Sequence, residues 1–151
     1  MKYNKAYEGE RFENYLEYLT SIKEKLSNDI FEFVSDASRH DLGERSLHDS
    51  WLKFLECVNN FKTRTAEITI ILLGSYHDRE FYLHFEKVSQ YKIFQQLPDM
   101  FRDLITYEIG IEEDCKGEEK LVFRAEFSGE NTEIEIYTEQ IEIKEKMINR
   151  R

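Results

Sequence analysis

The sequence has few of the residues that break or cross-link a chain, with one proline, six glycines and two cysteines among 151 residues. It contains no Gly-x-Ser-x-Gly motif, no phosphate-binding glycine loop and no Cys-x-x-Cys pair. Cys57 and Cys115 match no metal-ligand spacing, and we expect reduced thiols rather than a disulfide. We therefore expect no cofactor, and the sequence favours a protein without enzymatic activity.

Long apolar runs are also absent. No stretch approaches the ~20 apolar residues that a membrane span needs, and residues 1–5 lead into charged residues rather than the apolar core of a secretory signal. We expect a cytoplasmic protein that does not bind a membrane. Because 40% of the residues are hydrophobic and 14% are aromatic, the composition disfavours disorder and predicts a single domain over residues 1–151.

Acidic residues outnumber basic residues, and the formal net charge is -10. Residues 111–146 contain 12 acidic and 5 basic residues, a local charge of -7. Such a region repels phosphate backbones, so we expect no nucleic-acid partner, whereas a basic protein would be attracted. The alternative is that the extra carboxylates only keep the outer face of a sheet soluble.

The first part of the chain has apolar residues at helical spacing. This spacing predicts a helix over residues 10–26, followed by a second helix that begins near Asp29 and ends between Arg39 and Gly43. Asp29 and Glu32 have the spacing of a capping pair for that second helix. We therefore assign residues 10–42 to an N-terminal helical segment.

After Gly43 the apolar period changes from helical spacing to two, which is typical of strands. The alternation predicts strands at residues 50–58, 65–73, 79–88, 103–112, 119–127 and 132–138, with a last short strand that carries Ile141 and Ile143. The lone proline, Pro98, predicts one helical turn over residues 98–101. The order predicts an α+β fold, in which N-terminal helices pack on an antiparallel sheet of six or seven strands within residues 50–146.

Alternation also predicts which side chains face the core. For the first strand we expect Leu52, Phe54 and Val58 on one face. Residues 65–73 are apolar on both faces, which favours a central position. For the strand at 103–112 we expect the isoleucines and Tyr107 to face inward and Glu108 to face outward with its polar neighbours.

Three of the four histidines are followed by aspartate, at positions 40–41, 48–49 and 77–78. If residues 50–58 and 65–73 form a hairpin, His48 and Asp49 lie beside the loop that contains His77 and Asp78. Imidazole and carboxylate side chains can bind a divalent metal or form an acid–base pair, and Arg79 could bind an anion beside them. The competing interpretation is structural, because aspartate and histidine are common in turns and at strand junctions.

Short strings of the sequence resemble small bacterial proteins of a domain-of-unknown-function class. They are Leu47-His48-Asp49-Ser50, the segment from Phe123 to Gly129, and the segment from Glu133 to Ile136. The resemblance implies a bacterial cytoplasmic protein with a helix followed by an antiparallel sheet. It implies no assigned activity, and it transfers no functional residue to this chain.

Three functions follow from these observations. The first is a non-catalytic, acidic protein-binding module, similar to an immunity protein or an antitoxin, that binds a basic protein. The second is a self-associating structural protein, since an edge strand can pair with a copy of itself. The third is a small metal-dependent or acid–base enzyme that uses His48, Asp49, His77 and Asp78.

Overall fold

The computed structural model describes residues 1–94, 103–129 and 133–148. Two helices lie near the N-terminus, α1 (Phe12–Ser21) and α2 (Asn28–Ser35). The helix predicted over 10–26 therefore ends early and is followed by a 3-10 turn at Lys23–Lys25. The capping prediction was wrong as well, because Ser27 caps α2 by accepting a hydrogen bond from the Ile30 amide at 3.3 Å.

The described residues after Gly43 form eight strands, which confirms the change from helical to alternating structure. The strands are β1 (Trp51–Asn60), β2 (Thr65–Leu73), β3 (Arg79–Val88), β4 (Gln90–Phe94), β5 (Leu104–Glu113), β6 (Glu119–Phe127), β7 (Glu133–Thr138) and β8 (Gln140–Met147). Seven match predicted strands, and β4 was not predicted. The helical turn predicted over 98–101 lies outside the described residues.

The strands form two antiparallel sheets of four rather than one sheet of six or seven. The first sheet has the order β1-β2-β3-β8, and the second has the order β4-β7-β6-β5. The chain leaves the first sheet after β3 and returns to it after β7, through single-residue connections at Ser89 and Glu139. The prediction failed here because apolar alternation is the same whichever sheet a strand joins.

The inner faces of the two sheets and the apolar sides of both helices contribute to one buried cluster. The rings of Phe85 in β3 and Phe123 in β6 lie 5.3 Å apart. Leu19 of α1 and Val34 of α2 are fully buried, and burying each such side chain contributes roughly 1.5–3 kcal/mol. The helices therefore pack on the sheets as the α+β prediction requires.

A β-bulge changes the faces of β1. The register passes from Leu52 opposite Leu72 to Phe54 opposite Ile71, so Lys53 is the extra residue. Leu52 therefore lies on the inner face, whereas Phe54 and Val58 lie on the outer face. The predicted common face of these three residues was wrong, because one extra residue moves every later side chain to the other side.

Candidate functional site

The first His–Asp pair lies where the chain enters β1. The backbone is tied to the start of β5, because the Asp49 amide donates to the Leu104 carbonyl at 2.8 Å and the Leu104 amide donates to the Ser50 carbonyl at 2.9 Å. The Nδ1 atom of His48 donates to the Ile105 carbonyl at 2.7 Å, and its Nε2 atom lies 3.3 Å from the Asp49 carboxylate. His48 therefore fixes this junction against the second sheet.

The second pair lies in the loop between β2 and β3. His77 has a φ of 56°, and its amide donates to the Gly74 carbonyl at 2.8 Å. Its ring packs edge-on against the indole of Trp51, with 4.7 Å between the ring centres. Positive φ is uncommon for residues other than glycine, and histidine is among those that adopt it more readily. The loop geometry therefore supports a structural role for His77.

Arg79 is held by carboxylates of the protein itself. Its Nε and Nη2 atoms each donate to Asp78 at 3.1 Å, and its Nη1 atom donates to Glu145 at 2.7 Å. The side chain is only 7% exposed. A guanidinium paired in this way with two carboxylates has little capacity left for an external anion.

The predicted hairpin brings the two His–Asp pairs to the same end of the first sheet, since Trp51 lies opposite Leu73. The two histidine side chains nevertheless have different neighbours. In the described part of the chain, no hydrogen bond or ring contact joins His48 to His77, and neither belongs to a group of three potential metal ligands within 4.8 Å. The geometry therefore gives no support to a metal or acid–base centre at this position.

His40 belongs to a buried polar network that sequence reasoning missed. Its Nε2 atom lies 2.7 Å from the Val34 carbonyl, and its Nδ1 atom lies 3.3 Å from the Asn4 amide nitrogen. These partners suit a neutral ring with a proton on Nε2. The ring stacks on Tyr107 of β5 at 4.4 Å, and burial lowers the pKa of His40 to about 4.

A cavity of about 250 Å³ lies between the N-terminal residues, the segment after His40 and β5. Asn4, Tyr7, His48 and Thr106 contribute to its wall. The polar groups of Asn4 and His40 already bind each other and backbone carbonyls. The cavity therefore has room for a few water molecules, while Asn4 and His40 in its wall already have partners within the protein.

The outer face of the second sheet carries charges of alternating sign. Glu108, Arg124, Glu135 and Lys92 lie opposite one another across four strands. Arg124 donates to Glu108 at 3.1 Å, to Glu135 at 2.8 Å and also to Glu112. Burial alone would lower the pKa of the Arg124 guanidinium, but these hydrogen bonds raise it above its ordinary value. Much of the predicted acidic surface is thus neutralised inside the fold.

Glu108 was predicted to face solvent, yet it is fully buried. It does lie on the outer face, but the N-terminal residues cover it. The amides of Lys2, Tyr3 and Asn4 donate to its Oε1 atom at 2.9, 2.9 and 3.1 Å. A buried carboxylate is tolerated because three amides and Arg124 replace its water. Nothing in the local spacing of β5 signals this cover.

The outer face of the first sheet has a different arrangement. Glu56, Thr69, His84 and Glu142 lie opposite one another across β1, β2, β3 and β8. Glu67 and Glu86 lie on the same face in β2 and β3. We call this surface the glutamate face; it consists of Glu56, Glu67, Glu86 and Glu142, with His84 among them.

The glutamate face has few counter-charges of its own. Lys144 lies 3.1 Å from Glu142, and His84 lies 3.7 Å from Glu86. Within the described ranges, neither Glu56 nor Glu67 has a cationic nitrogen within 4.0 Å. The outward position of His84 agrees with the alternation of β3. The grouping of the carboxylates around it depends on pairing between strands, which sequence spacing alone does not show.

Among the described residues, neither α1 nor α2 is long and apolar enough to cross a membrane. No protein-family model matches the chain, and no curated protein matches it. The resemblance to small bacterial proteins of a domain-of-unknown-function class therefore stays a prediction.

Proposed function

We propose that the chain is a non-catalytic, acidic protein-binding module that binds a basic protein, as an immunity protein or an antitoxin does. The observation that carries this proposal is the glutamate face, where four carboxylates have few internal partners. Complementary charge raises the rate of association and disfavours wrong partners. A cluster of this kind suits lysine and arginine side chains of a partner.

Apolar side chains on the same outer face add to this argument. Phe54 is 42% exposed and Val58 is 54% exposed. Both flank Glu56 on β1, and aromatic residues such as phenylalanine are enriched in protein–protein interfaces. A partner that covers Phe54 would gain apolar contact area, while the carboxylates would set its orientation.

The same charges argue against pairing of two copies through β1. Two antiparallel β1 strands centred on Glu56 would bring the Glu56 carboxylates of both copies near each other, and like charges across strands are destabilising. Self-association is therefore the weaker candidate. We expect a concentration-independent monomer mass in light scattering after gel filtration.

The test compares two labelled peptides of equal length, one with alternating lysine and valine and one with alternating glutamate and valine. In fluorescence anisotropy, we expect the full chain to bind only the basic peptide, with an affinity that falls between about 50 and about 300 mM NaCl. The double variant Glu56→Lys/Glu67→Lys should weaken binding by roughly tenfold or more.

The matched control is Glu17→Lys/Glu24→Lys, which changes the net charge equally at exposed positions of the helical segment. The affinity of this control for the basic peptide should stay within about twofold of that of the unmodified chain. Only the long-range effect of net charge acts on it. Equal losses in the two double variants would show that net charge alone acts, and the proposed surface would be wrong.

A further inference from the structure

We propose that Glu67, His84 and Glu86 form a binding site for a divalent transition-metal ion of the Zn²⁺ type. One nitrogen and two carboxylate oxygens of these residues lie within 4.8 Å of one another. Among the described residues, no other group of three or more such side chains meets this condition. The proposal does not depend on a basic partner, because it concerns the chain alone.

The spacing of the ligand atoms suits a metal ion. Nε2 of His84 lies 3.7 Å from Oε1 of Glu86. Two ligands held at about 2.0–2.2 Å from a tetrahedral ion are about 3.4 Å apart. The two side chains therefore need only small rotations to bind one ion together.

The second ring nitrogen of His84 has a partner that orients the ring. Nδ1 of His84 lies 3.0 Å from Oγ1 of Thr69, the residue opposite it on β2. In the tautomer in which Nδ1 donates to this hydroxyl, Nε2 is free to ligate, and outer partners of this kind orient most metal-binding histidines. Thr69 therefore acts as a positioning residue for the proposed ligand.

A second bulge places Glu67 beside the β3 ligands. The register of β2 and β3 shifts between Ala66 and Ile68, where Lys87 has a φ of 51°. Bulges redirect side chains in this way at functional sites. Lys87 itself lies 3.7 Å from Glu139, so its charge has a carboxylate partner of its own.

The ligand set indicates the class of ion. Calcium and magnesium prefer sites made of oxygen ligands only, whereas imidazole together with carboxylate suits zinc and its neighbours in the first transition series. Three protein ligands leave at least one coordination position open to solvent. Glu56 and Glu142 lie in the same row as His84 and add negative charge around the ion.

The test is a calorimetric titration of the full, metal-free chain with ZnCl₂, repeated with CaCl₂. We expect saturable binding of one Zn²⁺ per chain and no comparable binding of Ca²⁺. His84→Ala should abolish the saturable phase. His77→Ala, which removes an exposed histidine at the other end of β3, should leave it unchanged.

Thr69→Val separates a built site from a patch of negative charge. It removes no charge and no ligand, but it should weaken Zn²⁺ binding by about tenfold through loss of the hydrogen bond to His84. Urea denaturation of each variant checks that the fold is intact, and these side chains lie on a solvent-facing surface. Equal Zn²⁺ binding by the His84 and His77 variants, or preferential binding of Ca²⁺, would overturn the proposal.

Discussion

The outer faces of the two sheets carry similar residues in different order. Across the second sheet, glutamate, arginine, glutamate and lysine alternate, and Arg124 bonds to three carboxylates. Across the first sheet, Glu56 and Glu142 lie at the two ends of a row whose middle residues are Thr69 and His84. The second sheet uses its charges to stabilise the fold, whereas Glu56 and Glu67 of the first sheet have no cationic partner among the described residues.

Replacing Arg124 tests whether the paired charges of the second sheet stabilise the fold, and it has the largest expected effect. Arg124→Met leaves the buried carboxylate of Glu108 without its cationic partner, and breaking a buried pair in this way costs about 3–5 kcal/mol. The free energy of unfolding, measured in urea by circular dichroism, should fall by that amount.

Two variants complete this experiment. Lys144→Met on the first sheet removes an exposed cation that pairs with Glu142, and it should change stability by less than about 0.5 kcal/mol. Glu108→Gln/Arg124→Met should lose less than the sum of the two single changes, because no unpaired charge stays buried. If Arg124→Met and Lys144→Met lowered the free energy of unfolding equally, the proposed difference between the two sheets would be wrong.

Acid titration should show the effect of burying one histidine, His40, against the second sheet. His40, packed on the second sheet, stays neutral in the native state down to its pKa of about 4, whereas the unfolded chain takes up the proton at about pH 6.5. Between these values the unfolded state binds more protons, so stability falls as the pH falls. We expect this group alone to cost roughly 2–3 kcal/mol between pH 7 and pH 4.

The change of urea midpoint with pH measures this effect. His40→Gln should flatten the acid side of the profile relative to the unmodified chain. An unchanged slope in the His40 variant would mean that burial of this ring does not govern acid stability.

The sequence predicted the strands of this fold better than their arrangement. The bounds of β2 and β3 follow from alternation, and the buried faces of Ile68 and Phe81 agree with it. The sequence did not predict the bulge at Lys53, because nothing in the local apolar pattern marks an extra residue. The sequence also did not predict the division into two sheets. The chain changes sheets at single residues, Ser89 and Glu139, which cannot be told from ordinary turns in the sequence.

The candidate sites show the same limit. Hairpin reasoning correctly placed His48 and His77 at one end of the first sheet, but the bond from His48 to the Ile105 carbonyl directs its ring elsewhere. The grouping of Glu67 with His84 depends on cross-strand register and on a second bulge. Register is a long-range property, so residue spacing along the chain does not contain it.

The difference between the sheets also appears in the hydrogen bonds of one side chain, the Tyr15 hydroxyl. Tyr15 of α1 donates to the Ile109 carbonyl at 2.7 Å and accepts from the Ile109 amide at 2.8 Å, which closes the edge of β5. Tyr15→Phe should cost about 2 kcal/mol, because two buried backbone groups lose their partner. Tyr82→Phe on the first sheet, which loses only a bond to Glu80, is the control and should change stability by less than about 0.5 kcal/mol. A similar cost in both variants would contradict the claim that the second sheet depends more on such contacts.

The smallest expected effect is the most informative about function. Glu67 lies near the Glu86 carboxylate and has no cationic partner among the described residues, so Glu67→Gln should raise the free energy of unfolding by a few tenths of a kcal/mol at low salt. High salt should abolish the gain, because screening removes the repulsion. The control, Glu135→Gln on the second sheet, should destabilise the protein, because Arg124 loses the negative charge of its partner. A loss of stability in the Glu67 variant would mean that this carboxylate serves the fold. A gain would mean that the chain keeps a charge that costs it stability, which is the pattern expected where a surface has been shaped for binding.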